Sequence, residues 1–248
     1  MTNSAGAGVV PTLDAAALLA AIPGLSELNL KITARSFWGL PGASLSFKDL
    51  SQLVASMRDE LDAGTDGVVI TQSTDTIEET AYFLDLTVDR ARPVVVTGAM
   101  RNPTMASADR PGNLLAAIQT AVSALLTGVG CVVAMSDEIH AARYVRKTSS
   151  TGLGAFASPG TGPIGRVVEG SPRLMVCPLA APTYPIPTRE VRIGVVTACL
   201  DDDAELLCRL GSGFDDLVIA GFGVGHVPAS FVDPLTDLAS RMPVVLAS

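Results

Sequence analysis

Between an apolar stretch and an amphipathic one lies a run of hydroxyls with one carboxylate among them. Val68, Val69 and Ile70 lead into Thr71, Gln72, Ser73, Thr74, Asp75 and Thr76, and Ile77 opens a helical pattern. Nucleophilic catalysis calls on residues of these types: a nucleophile, a group to take its proton, donors for a developing negative charge and a clamp for a ligand's charges. Thr74 and Asp75 offer a hydroxyl and a carboxylate, and Lys147 offers an amine. A lysine withdrawn from water beside a hydroxyl can act as a base, with a carboxylate fixing its position. A plainer account fits the same residues. Ser, Thr and Asp are preferred helix N-caps, and Thr76 with Glu79 makes a capping box; Lys147, in a stretch rich in Thr and Ser, also reads as a solvated loop lysine. The histidines add little. His140 has no second histidine a helical turn away, so it reads as a structural hydrogen-bonding residue and not as a zinc ligand. His226 closes Gly221-Phe222-Gly223-Val224-Gly225, whose glycine spacing lacks the third member of a dinucleotide fingerprint.

Elements must hold such a turn. Val68 to Thr71 reads as a strand, which puts the polar cluster at a strand's carboxyl end, where open α/β sheets bind ligands and the next helix offers free N–H groups. Helices are expected over Leu13 to Ile22, on Leu50, Leu53, Val54, Met57 and Leu61 up to Gly64, from Ile77 to about Arg90, and over Leu114 to Leu126. Strands are expected over Leu28 to Thr33, Pro93 to Thr97 and Val132 to Met135. This alternation predicts parallel strands with crossover helices, and strands apolar throughout predict a sheet covered on both faces. The fold class is therefore α/β: an open, mostly parallel sheet of the Rossmann or flavodoxin-like kind, with a second, smaller α/β domain. Prolines at 172, 178, 182, 185 and 187 mark 171–189 as a linker between a first domain over 1–170 and a second over 190–248. In the second, Ile193 to Thr197, Leu217 to Ala220 and Val244 to Leu246 read as strands. Helices are expected from Asp201 to Asp203 onward and near Ser230 to Arg241. Ending on an apolar strand suggests that this domain is truncated.

Composition narrows the function. Apolar residues make up 48% of the 248, charged residues 17%, and the mean hydropathy of +0.41 asks for broad buried faces. A net charge of -8 and a pI near 4.7 argue against nucleic acid or an anionic membrane as partner, because both need a basic face. A small molecule suits this charge better. The uncharged stretch between Arg110 and Asp137 is long enough to span a bilayer, but Gln119, Thr120, Ser123 and Thr127 interrupt it and Gly128 and Gly130 break it. It reads as helix, turn and buried strand. With no basic residue before Lys31 there is no secretory n-region, and the cytoplasm is expected. Cys131, Cys177, Cys199 and Cys208 show no Cys-x-x-Cys pair and read as reduced thiols.

The segment Thr74-Asp75-Thr76-Ile77-Glu78-Glu79-Thr80-Ala81 resembles the second threonine motif of the bacterial-type L-asparaginases. Val96-Thr97-Gly98-Ala99-Met100-Arg101, Ser107-Ala108-Asp109 with Asn113, Asp137-Glu138-Ile139-His140, Lys147-Thr148, Ala155-Phe156 with Ser158-Pro159, and Gly223 to Pro228 fall in that family's order and spacing. The resemblance implies hydrolysis of L-asparagine to L-aspartate and ammonia, without metal or organic cofactor, by threonine-dependent chemistry in a homo-oligomer. It makes Thr74, Lys147 and Asp75 the family's second catalytic group, with Asp75 also binding the substrate's α-amino group. It gives the substrate's amide nitrogen to the carbonyl of Ala99. It places His226, where the family often has Asn, on a turn that reaches a neighbouring subunit's active site and the substrate's amino group.

Three departures stand out. The family has His-Gly before the motif threonine where this chain has Gln72-Ser73. It binds the α-carboxylate with a serine where this chain has Gly42, so Ser44 stands as a substitute. Gly42, Ser44 and Ser73 are counted as candidate substrate-binding residues with Thr74, Asp75, Ala99 and His226. Finally, the family's strand ending Thr-Gly-Gly-Thr-Ile-Ala, whose first threonine attacks the amide, does not occur here; Met1 to Leu13 resembles its continuation. On that basis the chain is expected to lack the acylating step, to be nearly inactive and to be poorly soluble. Two other readings stay open: a non-catalytic fragment or binding protein on the same fold, and an amidotransferase component acting on glutamine or charged transfer RNA. Preference for asparagine or glutamine is open as well.

Overall fold

Strand β1 (Val68–Thr71) pairs in parallel with β2 (Val94–Thr97), and β2 pairs in parallel with β3 (Cys131–Met135) in the computed structural model, which describes residues 14–210 and 213–248. The sheet continues through β4 (Glu138–Ala141), β7 (Gly165–Val168) and β8 (Ser171–Leu174), all joined antiparallel, in the order β1-β2-β3-β4-β7-β8. A two-residue ribbon, β5 (Arg146–Lys147) with β6 (Phe156–Ala157), stands apart from it.

The apolar run of β2 has the cause the sequence suggested: both faces are covered. Val94 and Val96 pack with Val54 and Met57 of α2 (Phe47–Asp62) and with Ile77, Ala81 and Leu84 of α3 (Ile77–Thr87). Val95 packs the other way, with Ala117 and Ala121 of α4 (Arg110–Ala121). Each such valine, fully buried, contributes about 1.5–3 kcal/mol. Thr97 is buried too, and its hydroxyl donates to the Ala134 carbonyl at 2.7 Å, so no polar group is stranded at the end of β2.

Several expected elements differ. Leu28 to Thr33 is not a strand; a 3-10 turn covers Leu25–Leu28 and no regular structure follows until Gly42–Ser44. Its apolar alternation is real, but Leu30 and Ile32 are exposed and no strand pairs with them among the described residues. The helix expected over Leu114 to Leu126 starts earlier, with Pro111 in its first turn, and stops at Ala121; a separate 3-10 turn covers Ala124–Leu126. The first helix, α1, is short (Ala15–Ala20), and the readings made on Met1 to Leu13 lie outside the described residues.

The chain divides into two units, Met1–Ile186 and Pro187–Ser248. Much of the proline-rich stretch belongs to the first. Ser171–Leu174 is the edge strand β8, where Pro172 is tolerated, the Tyr184 N–H donates to the Leu86 carbonyl, and Ile186 packs on the core of α2 and α3. The second unit, taken by itself, is a three-stranded parallel sheet, β9 (Ile193–Thr197), β10 (Asp216–Ala220) and β11 (Val244–Ala247), with β10 in the middle. Helices α5 (Glu205–Arg209) and α6 (Val232–Ala239) supply Leu207 and Leu238 to a core that also holds Val196, Leu217, Ile219 and Phe231. No helix among the described residues is long and apolar enough to cross a membrane.

Candidate active site

The turn between β1 and α3 is a 3-10 turn over Thr74–Thr76 that runs straight into the helix. The expected capping box is not formed: neither Ser73 nor Thr76 caps with its side chain. Their hydroxyls turn instead to the loop at Gly42. Thr76 Oγ1 donates to the Gly42 carbonyl at 3.0 Å, the Gly42 N–H donates to Ser73 Oγ at 2.5 Å, and Gln72 Nε2 donates to Thr76 Oγ1 at 3.3 Å. The polar cluster is thus a latch between two loops, with Thr74 between the latching residues and only 8% exposed.

Lys147 comes from the β5–β6 ribbon. Phe156, paired with Lys147, is buried in the main core, and the Thr148 N–H donates to the Ala155 carbonyl at 2.6 Å. The Lys147 N–H donates to Glu78 Oε2 at 2.6 Å, and Glu78 Oε1 lies 3.4 Å from Arg146 Nη1. Held in this way, Lys147 Nζ donates to Thr74 Oγ1 at 2.9 Å and lies 3.6 Å from Asp75 Oδ1. The lysine side chain is 21% exposed and the Asp75 side chain 56%, so the hydroxyl is inside and the carboxylate faces outward. This geometry suits proton transfer between hydroxyl and amine, with a carboxylate free for a cationic group of a ligand.

Next to this turn, β2 ends at Thr97 and the chain passes through Gly98 and Ala99. A Cβ on Gly98 would lie 2.7 Å from the Gln72 carbonyl oxygen and 3.4 Å from Thr74 Cγ2, so only glycine lets the two strand ends run this close. Asp109 fixes the next two residues, accepting the N–H of Met100 at 2.8 Å and of Arg101 at 2.9 Å. Asn113 donates to the Gly98 carbonyl and to Asp109 Oδ2, each at 3.1 Å, and accepts the Ser136 N–H at 2.9 Å. The Ala99 carbonyl accepts no hydrogen bond among the described residues.

Thr74, Asp75, Lys147, Ser73 and Gly42 therefore come together, with Ala99 on the neighbouring strand end. Ser44 is exposed at the end of its 3-10 turn, and it is Ser73, not Ser44, whose hydroxyl meets Gly42. His226 belongs to the second unit, exposed after the turn Gly223–Gly225, with its carbonyl accepting the Phe222 N–H at 2.8 Å. His140 is fully buried, with Nδ1 2.9 Å from Ser158 Oγ, in the structural role expected. Burial pushes the Cys131 thiol well up, while the other three thiols are free and exposed. Among the described residues no three His, Cys, Asp or Glu side chains are placed to hold a metal ion. Sequence reasoning gave no role to Glu78, Asp109 or Asn113. All three lie within the family-like motifs, and that membership was the only available signal.

The fold is that of an α/β protein whose strand-to-helix turn, with Thr74 and Asp75, meets a lysine from a separate ribbon. A family model described as Asparaginase, N-terminal, matches residues 1–176, and the chain belongs to the asparaginase family. It is 40% identical over 191 residues to a probable periplasmic L-asparaginase of Haemophilus influenzae, covering 74% of this chain and 55% of that one. To a probable L-asparaginase of Deinococcus radiodurans it is 35% identical over 232 residues, 92% of this chain and 70% of the relative. The crystal structure of a probable cytoplasmic L-asparaginase from Campylobacter jejuni superposes with a TM-score of 0.89 at 32% identity, over 95% of this chain and 78% of that one. The chain thus spans little more than half the length of the Haemophilus relative.

Proposed function

We propose that this chain serves the hydrolysis of the side-chain amide of L-asparagine to L-aspartate and ammonia. One observation carries the reading: Lys147 Nζ stands 2.9 Å from Thr74 Oγ1 with Asp75 Oδ1 3.6 Å from the same nitrogen. In the neutral form Lys147 takes the Thr74 hydroxyl proton, and the oxygen so freed draws a proton from a water. The water oxygen attacks the amide carbon of asparagine, the C–N bond breaks, and the ammonia leaves with the proton that Lys147 took. In the family a threonine hydroxyl of the Thr-Gly-Gly-Thr-Ile-Ala motif first displaces the ammonia; that motif does not occur in this sequence.

Asp75 takes the substrate's ammonium in this reading, the Ala99 carbonyl takes the amide nitrogen, and the latch of Gly42 and Ser73, with Ser44 beside it, faces the α-carboxylate. His226 completes the amino-group site from a neighbouring subunit of a homo-oligomer. The compartment we propose is the cytoplasm; the relatives' names carry both cytoplasmic and periplasmic.

Calorimetry with L-aspartate, together with ammonia release from L-asparagine and L-glutamine, tests the proposal. L-aspartate should bind, asparagine should release ammonia, and Lys147→Met should lower the rate by about 100-fold or more with the melting temperature nearly unchanged. Full activity in Lys147→Met overturns the assignment. Binding without ammonia release supports the second reading, a non-catalytic binding protein on the same fold.

A further inference from the structure

Gly42 and Ser73 exclude each other's side chains. Gly42 is buried, and a Cβ built on it would lie 2.5 Å from Ser73 Oγ, 3.1 Å from the Ser73 carbonyl oxygen and 3.2 Å from Thr76 Oγ1. A side chain at 42 and a hydroxyl at 73 therefore compete for one place, and this chain fills it from 73. The Ser73 hydroxyl is also fixed and unspent. Its oxygen accepts the Gly42 N–H at 2.5 Å, and its proton has no acceptor among the described residues. Ser73 is half-buried and directly precedes Thr74, at the open end of the turn that leads into α3.

We infer that Ser73 is the specificity residue for the substrate's α-carboxylate, its hydroxyl proton donated to that group, and that Gly42 is glycine to make room for it. The inference rests on the amide-hydrolase reading of the site and deepens it. Three consecutive residues then read three groups of one amino-acid amide: Ser73 the carboxylate, Thr74 the reacting carbon, Asp75 the ammonium. Charge supports this order. The 56% exposed carboxylate of Asp75 suits a cation, while the start of α3, with its aligned N–H groups, favours an anion beside Ser73.

A double-substitution cycle tests it, with two ligands that differ only in the group concerned: L-aspartate, which has the α-carboxylate, and β-alanine, which is L-aspartate without it. Ser73→Ala removes the hydroxyl and keeps the Cβ. It should weaken L-aspartate binding about 10-fold and leave β-alanine within about 2-fold, the loss for L-asparagine falling in KM more than in kcat. Gly42→Ser alone should lower the melting temperature and L-aspartate affinity, because two side chains then compete for one place. Gly42→Ser with Ser73→Gly should restore both, the hydroxyl now arriving from 42. Equal weakening of both ligands by Ser73→Ala, or a double variant no better than the worse single one, overturns the assignment and makes Ser73 a loop latch only. L-aspartate binding without turnover in the parent overturns the hydrolysis proposal alone; no binding of L-aspartate in the parent overturns both.

Discussion

Glu78 shows how little of the site's support is near it in sequence. Its carboxylate accepts the backbone N–H of Lys147, 69 residues away, and so fixes the root of the side chain whose tip reaches Thr74. We expect Glu78→Ala to lower kcat about 10-fold with a smaller change in KM, since the residue orients the proposed base, Lys147, through its backbone N–H. Glu78→Gln keeps a carbonyl acceptor and should recover most of that loss in steady-state assays. A Gln variant as impaired as the Ala variant would mean that the charge, through Arg146, matters more than the bond to Lys147. Thr74, Asp75 and Lys147 are legible as a group through the resemblance of their motifs; by residue type alone Lys147 reads equally as a solvated loop lysine. Thr76 reads as part of a capping box because capping is a local rule, while Ser73 reads as a candidate substrate-binding residue. Thr76 donates its hydroxyl to the Gly42 carbonyl and Ser73 Oγ accepts the Gly42 N–H, 34 and 31 positions away, which no local rule can see.

At the level of elements, one buried carboxylate joins a helix to a strand. Asp85, in the last turn of α3 and 3% exposed, accepts the Cys131 N–H at 3.1 Å at the start of β3 and lies 3.0 Å from Arg90 and 2.7 Å from Arg143. Arg90 in turn donates to the Val129 carbonyl at 3.1 Å, so removing the carboxylate leaves a guanidinium with 12% exposure unpaired. Asp85→Ala should therefore cost about 3–5 kcal/mol in urea unfolding. A loss below about 1 kcal/mol would show that water replaces the carboxylate, and the cluster would then be no more than a surface network. Helices α2 and α3 were visible in periodicity because each buries one apolar face, and strands β2 and β3 in unbroken apolar runs because both their faces are covered. Periodicity failed where a partner decides the outcome. Leu28 to Thr33 alternates like a strand but has none to pair with among the described residues, and α4 ends at Ala121 although Val122 and Leu125 continue its apolar pattern, because both are exposed.

For the molecule as a whole, composition announced broad apolar faces without locating them. In the second unit, Val195, Val218 and Val245 form one cross-strand row, and the outer two are 71% and 54% exposed. Charge is better described by single buried groups than by the net value of -8. His140 is the clearest: burial pushes its imidazole below the usual 6.5, with Glu138 pulling it up and Arg166 pushing it down. Glu138 Oε2 is 3.4 Å from His140 Nε2, and the same carboxylate holds Arg166 at 2.6 Å. Because the folded value lies below the unfolded one, the unfolded chain gains a proton first as pH falls. The contribution of neutral His140 is thus complete above about 6.5 and is lost as pH drops from there to the folded value, at about 1.4 kcal/mol per unit of separation. Urea midpoints at pH 7.5 and 5.5 should differ more for the parent than for His140→Gln, whose amide keeps a bond to Ser158 and does not titrate. If both proteins lose the same stability over that interval, His140 is protonated alike in the two states and the carboxylates alone set the acid limit.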